Sequence, residues 1–233
     1  MPHIEITHGP DGLAEVVLTR PKVNAMNRGL LEELRDSFVA LAADDRVKGV
    51  LLRGDGRALS AGLDLFEVAS LDEAGIRLFI ELLDDAFMAV FELPQPLAVA
   101  VTGHAIAGGM VVALAADHMV LERGSYKVGL AELAVGVPFP TVALEIVRDA
   151  LTPRSFRFFV NDADSVSPDA AFARGAGDVL SDDAVADARA WLAKVTSRPA
   201  ATWRLVKQAR RAPAVERYRA ASHAQRRRLI ATL

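Results

Sequence analysis

Two short stretches of this 233-residue chain combine small residues with a change of backbone direction, and both could hold developing negative charge. One is Ala58-Leu59-Ser60-Ala61-Gly62-Leu63-Asp64-Leu65, which follows an apolar run ending near Gly54. The other is Ala105-Ile106-Ala107-Gly108-Gly109-Met110, where a buried strand is expected to give way to a helix. Small side chains let a ligand come close to backbone, and a helix start offers unpaired N–H groups at the positive end of its dipole. Together the turns could cradle an oxyanion, although tight strand-to-helix packing also calls for a Gly-Gly pair.

Other chemistries lack their residues. The chain has no cysteine, which removes thiolate nucleophiles, disulfides and Cys-type zinc sites. Gly103-His104-Ala105-Ile106-Ala107-Gly108-Gly109 has neither the Lys-Ser/Thr ending of a phosphate loop nor the dinucleotide-binding glycine spacing. His3, His8, His104, His118 and His223 include no i, i+4 pair, and no serine sits in Gly-x-Ser-x-Gly, so neither a metal site nor a serine triad is written locally. His104 abuts a glycine turn inside an apolar segment and reads as a structural histidine.

The elements that must position the two turns follow from periodicity. Residues 4 to 8 and 13 to 19 alternate apolar and polar around Gly9-Pro10-Asp11-Gly12, which predicts a hairpin. Leu30, Leu31, Leu34, Phe38 and Leu41 recur at helical spacing behind Asn27, a capping residue. Strands are expected over 49–54 and 96–103, a long helix over 71–92, and another helix from Gly108. Strand segments over 118–129 lead to a helix near 140. Further helices are expected over 153–160, 167–174 and 182–197, with Thr152-Pro153 and Ser167-Pro168 as start signals. The first two thirds is therefore mixed α/β, in a strand, strand, helix rhythm, and the last third mainly helical.

The chain is 52% hydrophobic, enough for one sizeable core. No charged residue occurs between Glu92 and Asp117, but Pro94, Pro96, Gly103 and the Gly108-Gly109 pair break that run into pieces too short for a membrane span. The N-terminus lacks the basic stretch and apolar core of a secretory signal, so a cytoplasmic protein is expected. The net charge of −3 hides an asymmetry: residues 198–233 carry nine Arg and one Lys against Glu216 alone. Without a helix-turn-helix, zinc or stacking signature, these basic helices are expected to dock on acidic surfaces of the same chain or a neighbouring subunit rather than on nucleic acid.

Several segments resemble, in order, the motifs of the crotonase (enoyl-CoA hydratase/isomerase) family. Arg20-Pro21-Lys22-Val23-Asn24-Ala25 resembles its early Arg-Pro-x-x-x-Asn-Ala segment, and Leu59-Ser60-Ala61-Gly62-Leu63-Asp64 its Phe-x-Ala-Gly-x-Asp turn. Gly103 to Gly109 is similar to its Asn-Gly-x-Ala-x-Gly-Gly turn, Gly129 to Pro138 to its Gly-x-x-Glu-x-x-x-Gly-x-x-Pro element, and Ser167 to Leu180 to its helix and exit turn. The resemblance implies an α/β fold: a spiral of repeated β-β-α units over residues 1–181 that binds acyl-CoA, then a C-terminal helical trimerisation region over 182–233. It implies an oxyanion hole made by the N–H groups of Leu63 and Gly108. It also implies acyl-CoA contacts by Lys22, Val23, Ala25, Ala61, Asp64, Leu65, Phe66 and Gly109, and a homotrimer or dimer of trimers. No metal or redox cofactor is implied, since coenzyme A enters as part of the substrate.

Hydratases of the family place one Glu three residues after the oxyanion glycine and another in the Gly-x-x-Glu element. This chain has Val111 at the first position and Glu132 at the second. Moving a proton from the α to the γ carbon needs one base that takes it and returns it, whereas hydration must activate water as well. The pattern resembles the single-Glu enoyl-CoA isomerases, with Glu132 catalytic and its pKa raised among Leu130, Leu133 and Val137. The alternatives are a hydratase drawing a second carboxylate from Asp64, Asp84 or Asp85, and a catalytically silent acyl-CoA-binding subunit. Leu78, Phe79, Leu82, Leu83, Phe87 and Phe91 are candidates for the acyl pocket or for plain core. The chain stops one or two helices before the family's usual closing segment, and Arg226, Arg227 and Arg228 are candidate substitutes for its basic residue.

Overall fold

A computed structural model of the protein describes the backbone of residues 2–230 and the side chains as far as Ala221. The side chains of Arg226, Arg227 and Arg228 therefore lie outside the described residues.

The chain opens with the expected hairpin, β1 (Ile4–His8) and β2 (Leu13–Leu18), paired antiparallel with Ile6 opposite Val16. Helix α1 (Arg28–Ala43) starts where Asn27 accepts a hydrogen bond from the Leu30 N–H, and its five spaced apolar residues are all buried. β3 (Gly49–Gly54) and β4 (Ala58–Ser60) follow, then the short α2 (Leu65–Ala69) capped by Asp64 and the long α3 (Glu73–Phe91) capped by Asp72. A second unit repeats the order with β5 (Leu97–Val101), β6 (His104–Ile106) and α4 (Gly108–Leu114). β7 (His118–Glu122), β8 (Val128–Gly129) and α5 (Thr141–Ala150) make a third. Then come α6 (Pro153–Arg157), running into a wider turn over Phe158–Asp162, α7 (Pro168–Ala173), β9 (Val179–Ser181), α8 (Ala184–Thr196) and α9 (Ala200–Ile230).

The strands sort into two sheets. Six form the order β1-β2-β3-β5-β7-β9, parallel except for the first pair, and three form β4-β6-β8. The rhythm expected from sequence is present, but each unit sends its second, shorter strand into the small sheet. Segments 58–60 and 104–106, expected as parts of turns, are those short strands. Three residues are too few for a period of two to be read.

The large sheet is buried on both faces, which is why β5 reads Leu-Ala-Val-Ala-Val without a polar position. Its Leu97, Val99 and Val101 join the main core with α1, α3, α4 and α5. Ala98 and Ala100 face the other way, onto Ala184, Ala188 and Leu192 of α8. The small side chains on both sides bring this helix close to the sheet.

The basic tail docks on carboxylates of the same chain. Lys207, Arg210 and Arg211 of α9 surround Asp117, just past the end of α4. Arg210 also reaches Asp149, Arg217 reaches Glu145, and Arg219 reaches Glu92. Arg211 additionally donates to the Ala115 carbonyl at 2.9 Å, meeting the C-terminal end of α4. Among the described residues no helix is long and apolar enough to cross a membrane.

Candidate active site

The two glycine turns, separated by over forty residues in sequence, touch. Gly62 has φ +87°, and a Cβ there would lie 2.9 Å from Ala107 Cβ and 3.4 Å from Gly108 N. Only glycine permits that approach together with that φ. Gly109 answers a different need: a Cβ on it would lie 2.2 Å from the Ser60 carbonyl oxygen, so its bare Cα lets α4 press against β4. Gly109 is accordingly not among the residues lining the cavity described below.

Ala107, between the turn and α4, has φ 48° and ψ −122°, a conformation that costs a non-glycine residue about 1–3 kcal/mol. The surrounding structure holds it there: its N–H donates to the Gly129 carbonyl at 2.8 Å, and its carbonyl accepts from Val111. The result is that Gly108, first residue of α4, presents an N–H that the helix cannot use. Neither the Gly108 nor the Leu63 N–H donates to a backbone carbonyl among the described residues.

The Leu63 turn is fixed from the side of residues 20–26. Met26 N donates to the Gly62 carbonyl at 2.7 Å, and Asp64 N to the Met26 carbonyl at 3.0 Å. The Arg20 guanidinium holds the Asp64 carboxylate at 2.7 Å and the Ala25 carbonyl at 2.8 Å. Although partial burial opposes it, the Asp64 pKa is lowered by its helix-cap N–H bonds and by Arg20. Asn24, fully inside, donates from one amide nitrogen to the Leu18 and Ala58 carbonyls, while Ser60 Oγ donates to the Asn24 carbonyl and accepts from Gly62 N. Arg20, Asn24 and Ser60, each within a family-like motif, are thus structural parts of the site.

Beneath the two turns lies a cavity of about 120 Å³. Ala61, Leu63, Leu65 and Gly108 of the expected set line it, together with Glu132. Lys22 is exposed, and Val23 and Ala25 are half-buried alongside the turn, with the Val23 carbonyl accepting from Ala61 N. Phe66 projects outward, 93% exposed. Lys22, Val23, Ala25, Asp64 and Phe66 do not reach the cavity. Ile80, Leu83 and Phe87 of α3 do; Phe79 and Leu82 are turned into the core beside α1, and Phe91 stacks under Arg211. His104 is structural: its Nδ1 accepts from the Lys127 N–H at 3.1 Å.

Glu132 is 7% exposed, and its Oε2 has no hydrogen-bond partner among the described residues. Burial pushes its pKa up to about 7, with a backbone N–H opposing the shift. The wall around it differs from the one read from sequence. Leu133 is 52% exposed, and Leu130, though buried, faces the core; the cavity side is Val111, Val135, Val137 and Pro138. The chain bends there through a short 3-10 turn, Leu133–Val135, and Gly136 at φ 74°, which turns Leu133 to the outside. Among the described residues Glu132 is the sole ionisable side chain lining the cavity, and Val111 stands in the same wall. Asp84 is buried elsewhere, near Tyr218, and Asp85 lies in the groove between α3 and α1. Two N–H groups that make no backbone hydrogen bond among the described residues, set over a largely apolar cavity with one buried carboxylate, can stabilise an oxyanion while a single base moves a proton.

The enoyl-CoA hydratase/isomerase family model matches residues 8–233. The chain belongs to the enoyl-CoA hydratase/isomerase family. The fold is that of the family's spiral, α/β with a helical C-terminal region. A probable enoyl-CoA hydratase of Mycobacterium tuberculosis, EchA17, is 34% identical over 126 residues, 54% of this chain and 48% of the relative. The matched stretch thus spans about half the length of such curated relatives. An enoyl-CoA hydratase structure from Mycobacterium ulcerans, EchA3, is 26% identical with a TM-score of 0.84, over 94% of this chain and 95% of that one. The human mitochondrial delta3-delta2-enoyl-CoA isomerase has a TM-score of 0.94 at 23% identity, over 98% of this chain and 91% of that one, a likeness of fold.

Proposed function

We propose that this family member binds an acyl-CoA thioester and shifts its double bond, converting a 3-enoyl-CoA to the 2-enoyl-CoA, with Glu132 as the only acid-base group. The observation that carries this reading is the solitary carboxylate in the cavity, with Val111 where a second one would stand. The Glu132 carboxylate takes a proton from the α carbon, and the electron pair moves into the thioester carbonyl to form a dienolate. The N–H groups of Leu63 and Gly108 hold the resulting oxyanion; losing one such donor typically costs about a hundredfold to a thousandfold in rate. Protonated Glu132 then returns its proton to the γ carbon, the oxyanion collapses, and the double bond lies between the α and β carbons. No metal or redox group is needed for these steps.

Hydration is the second reading, favoured by the names of relatives such as EchA17. It needs a second group to handle water. Asp64 is engaged by Arg20 and by the start of α2, and neither Asp84 nor Asp85 lines the cavity. The family reading further carries a homotrimer or dimer of trimers, and a cytoplasmic setting. Incubation with 3-enoyl- and 2-enoyl-CoA in deuterated water tests the reaction. Bond migration without hydration, lost in Glu132→Gln, is expected, with deuterium entering only as far as the Glu132 proton exchanges with solvent. A 3-hydroxyacyl product would transfer the assignment to hydration, and binding without either product would leave a silent subunit.

A further inference from the structure

The cavity's size and lining restrict what acyl chain can enter it. At about 120 Å³ it falls below drug-sized pockets, which begin at roughly 300 Å³, and near the about 150 Å³ of an apolar protein cavity that admits benzene. Ile80, Leu83 and Phe87 line it from one face of α3, each buried, and Ala143 lines it from α5. Phe87 stands at the end where the oxyanion glycine lies, since a Cβ on Gly108 would meet its Cζ at 3.3 Å. Ile80 is two helical turns away, about 10 Å along the axis. Leu65 and Val135, which also line the cavity, are half-exposed and form its mouth.

Apart from Glu132 the lining offers no polar side chain among the described residues. A hydroxyl, carboxylate or amide on the acyl chain would lose its water there and find no partner.

Resting on the enolate reading above, we infer that the site accepts thioesters of short, purely hydrocarbon acyl chains, about four to six carbons long, and that Leu83 and Ala143 set this limit. Leu83 sits midway along the buried α3 face, and Ala143 is the small residue whose enlargement would fill the cavity from α5. Both determine specificity without taking part in proton transfer.

The test is calorimetric binding of saturated straight-chain acyl-CoAs, from acetyl to dodecanoyl, to the full chain, a measurement that needs no turnover. Affinity should rise about fourfold per methylene as far as hexanoyl-CoA and then level off or fall. In Leu83→Ala the break should move to octanoyl-CoA or longer, and in Ala143→Leu it should retreat to butyryl-CoA. Leu83→Val, a smaller change, should move the break in the same direction as Leu83→Ala if the latter does not fold. Affinity that keeps rising through decanoyl-CoA in the unchanged protein, or a break unmoved in every folded variant, would overturn the inference. A break at hexanoyl-CoA with no bond migration in any enoyl-CoA would uphold the length limit and remove the isomerase reading. Failure of every thioester to bind would remove both.

Discussion

The carboxylates of Glu132 and Asp117 are both shielded from solvent, yet their surroundings are opposite. Asp117 touches Lys207, Arg210 and Arg211, and its carboxylate also accepts from the Leu97 N–H at 2.9 Å. Among the described residues Glu132 has no cation beside it, and its Oε2 has no hydrogen-bond partner. Both lie close to α4: Glu132 shares a cavity with its first residue, and Asp117 lies just beyond its C-terminal end. A carboxylate saturated with partners locks α9 and the end of α4 in place, while one buried without a cation keeps a proton affinity suited to chemistry near neutral pH.

The largest effect that separates the two sites is on turnover. Glu132→Gln should lower kcat for 3-enoyl-CoA isomerisation by about a hundredfold to ten-thousandfold, with thioester binding retained. Steady-state kinetics beside calorimetric binding checks this. Asp117→Asn should act on stability instead, since it leaves buried cations unpaired and should cost about 3–5 kcal/mol, read by denaturant unfolding. Its kcat per folded molecule should fall much less than that of Glu132→Gln. Comparable losses of kcat in both variants would break the contrast.

A smaller effect comes from the linkage of folding to pH. The Glu132 pKa is raised from 4.5 to about 7 in the folded chain. The folded state therefore holds this proton more tightly, and the stability it contributes is present below pH 4.5 and lost as pH rises through about 7. Glu132→Gln removes that loss, so the variant should gain on the wild type by up to about 3 kcal/mol above pH 7, and the gap should close in acid. Unfolding midpoints measured across the pH range give the sign directly. The smallest effect is expected from Val111→Glu, which sets a second carboxylate in the same wall. Traces of 3-hydroxyacyl product from 2-enoyl-CoA, absent in the wild type, would sharpen the argument that one missing carboxylate separates the two reactions.

What could be read from the sequence was local. Asn27 with Leu30, Leu34 and Phe38 announced α1, and the two proline start signals announced α6 and α7, because capping and helical period are written in adjacent residues. The short strands β4 and β6 were hidden, since three residues carry no period and their pairing depends on distant segments. The partners of the basic tail were equally hidden. Asp117, Asp149, Glu145 and Glu92 come from separate elements that only folding brings to α9. In the site, the motifs located both turns and Glu132, but they did not tell Gly109, which packs on Ser60, from Gly108, which borders the cavity. Nor did they foresee that Leu133 turns outward, because the bend at Gly136 decides which neighbours the carboxylate has.

The pH dependence of kcat/KM for a short 3-enoyl-CoA tests the account most directly. A lone buried carboxylate acting as base predicts a rate that rises tenfold per pH unit, then levels off above about 7, the pKa to which burial lifts Glu132. That ionisation should be absent from the residual activity of Glu132→Gln. A rate already level at pH 5, or the same ionisation persisting in Glu132→Gln, would contradict the assignment of Glu132 as the single base.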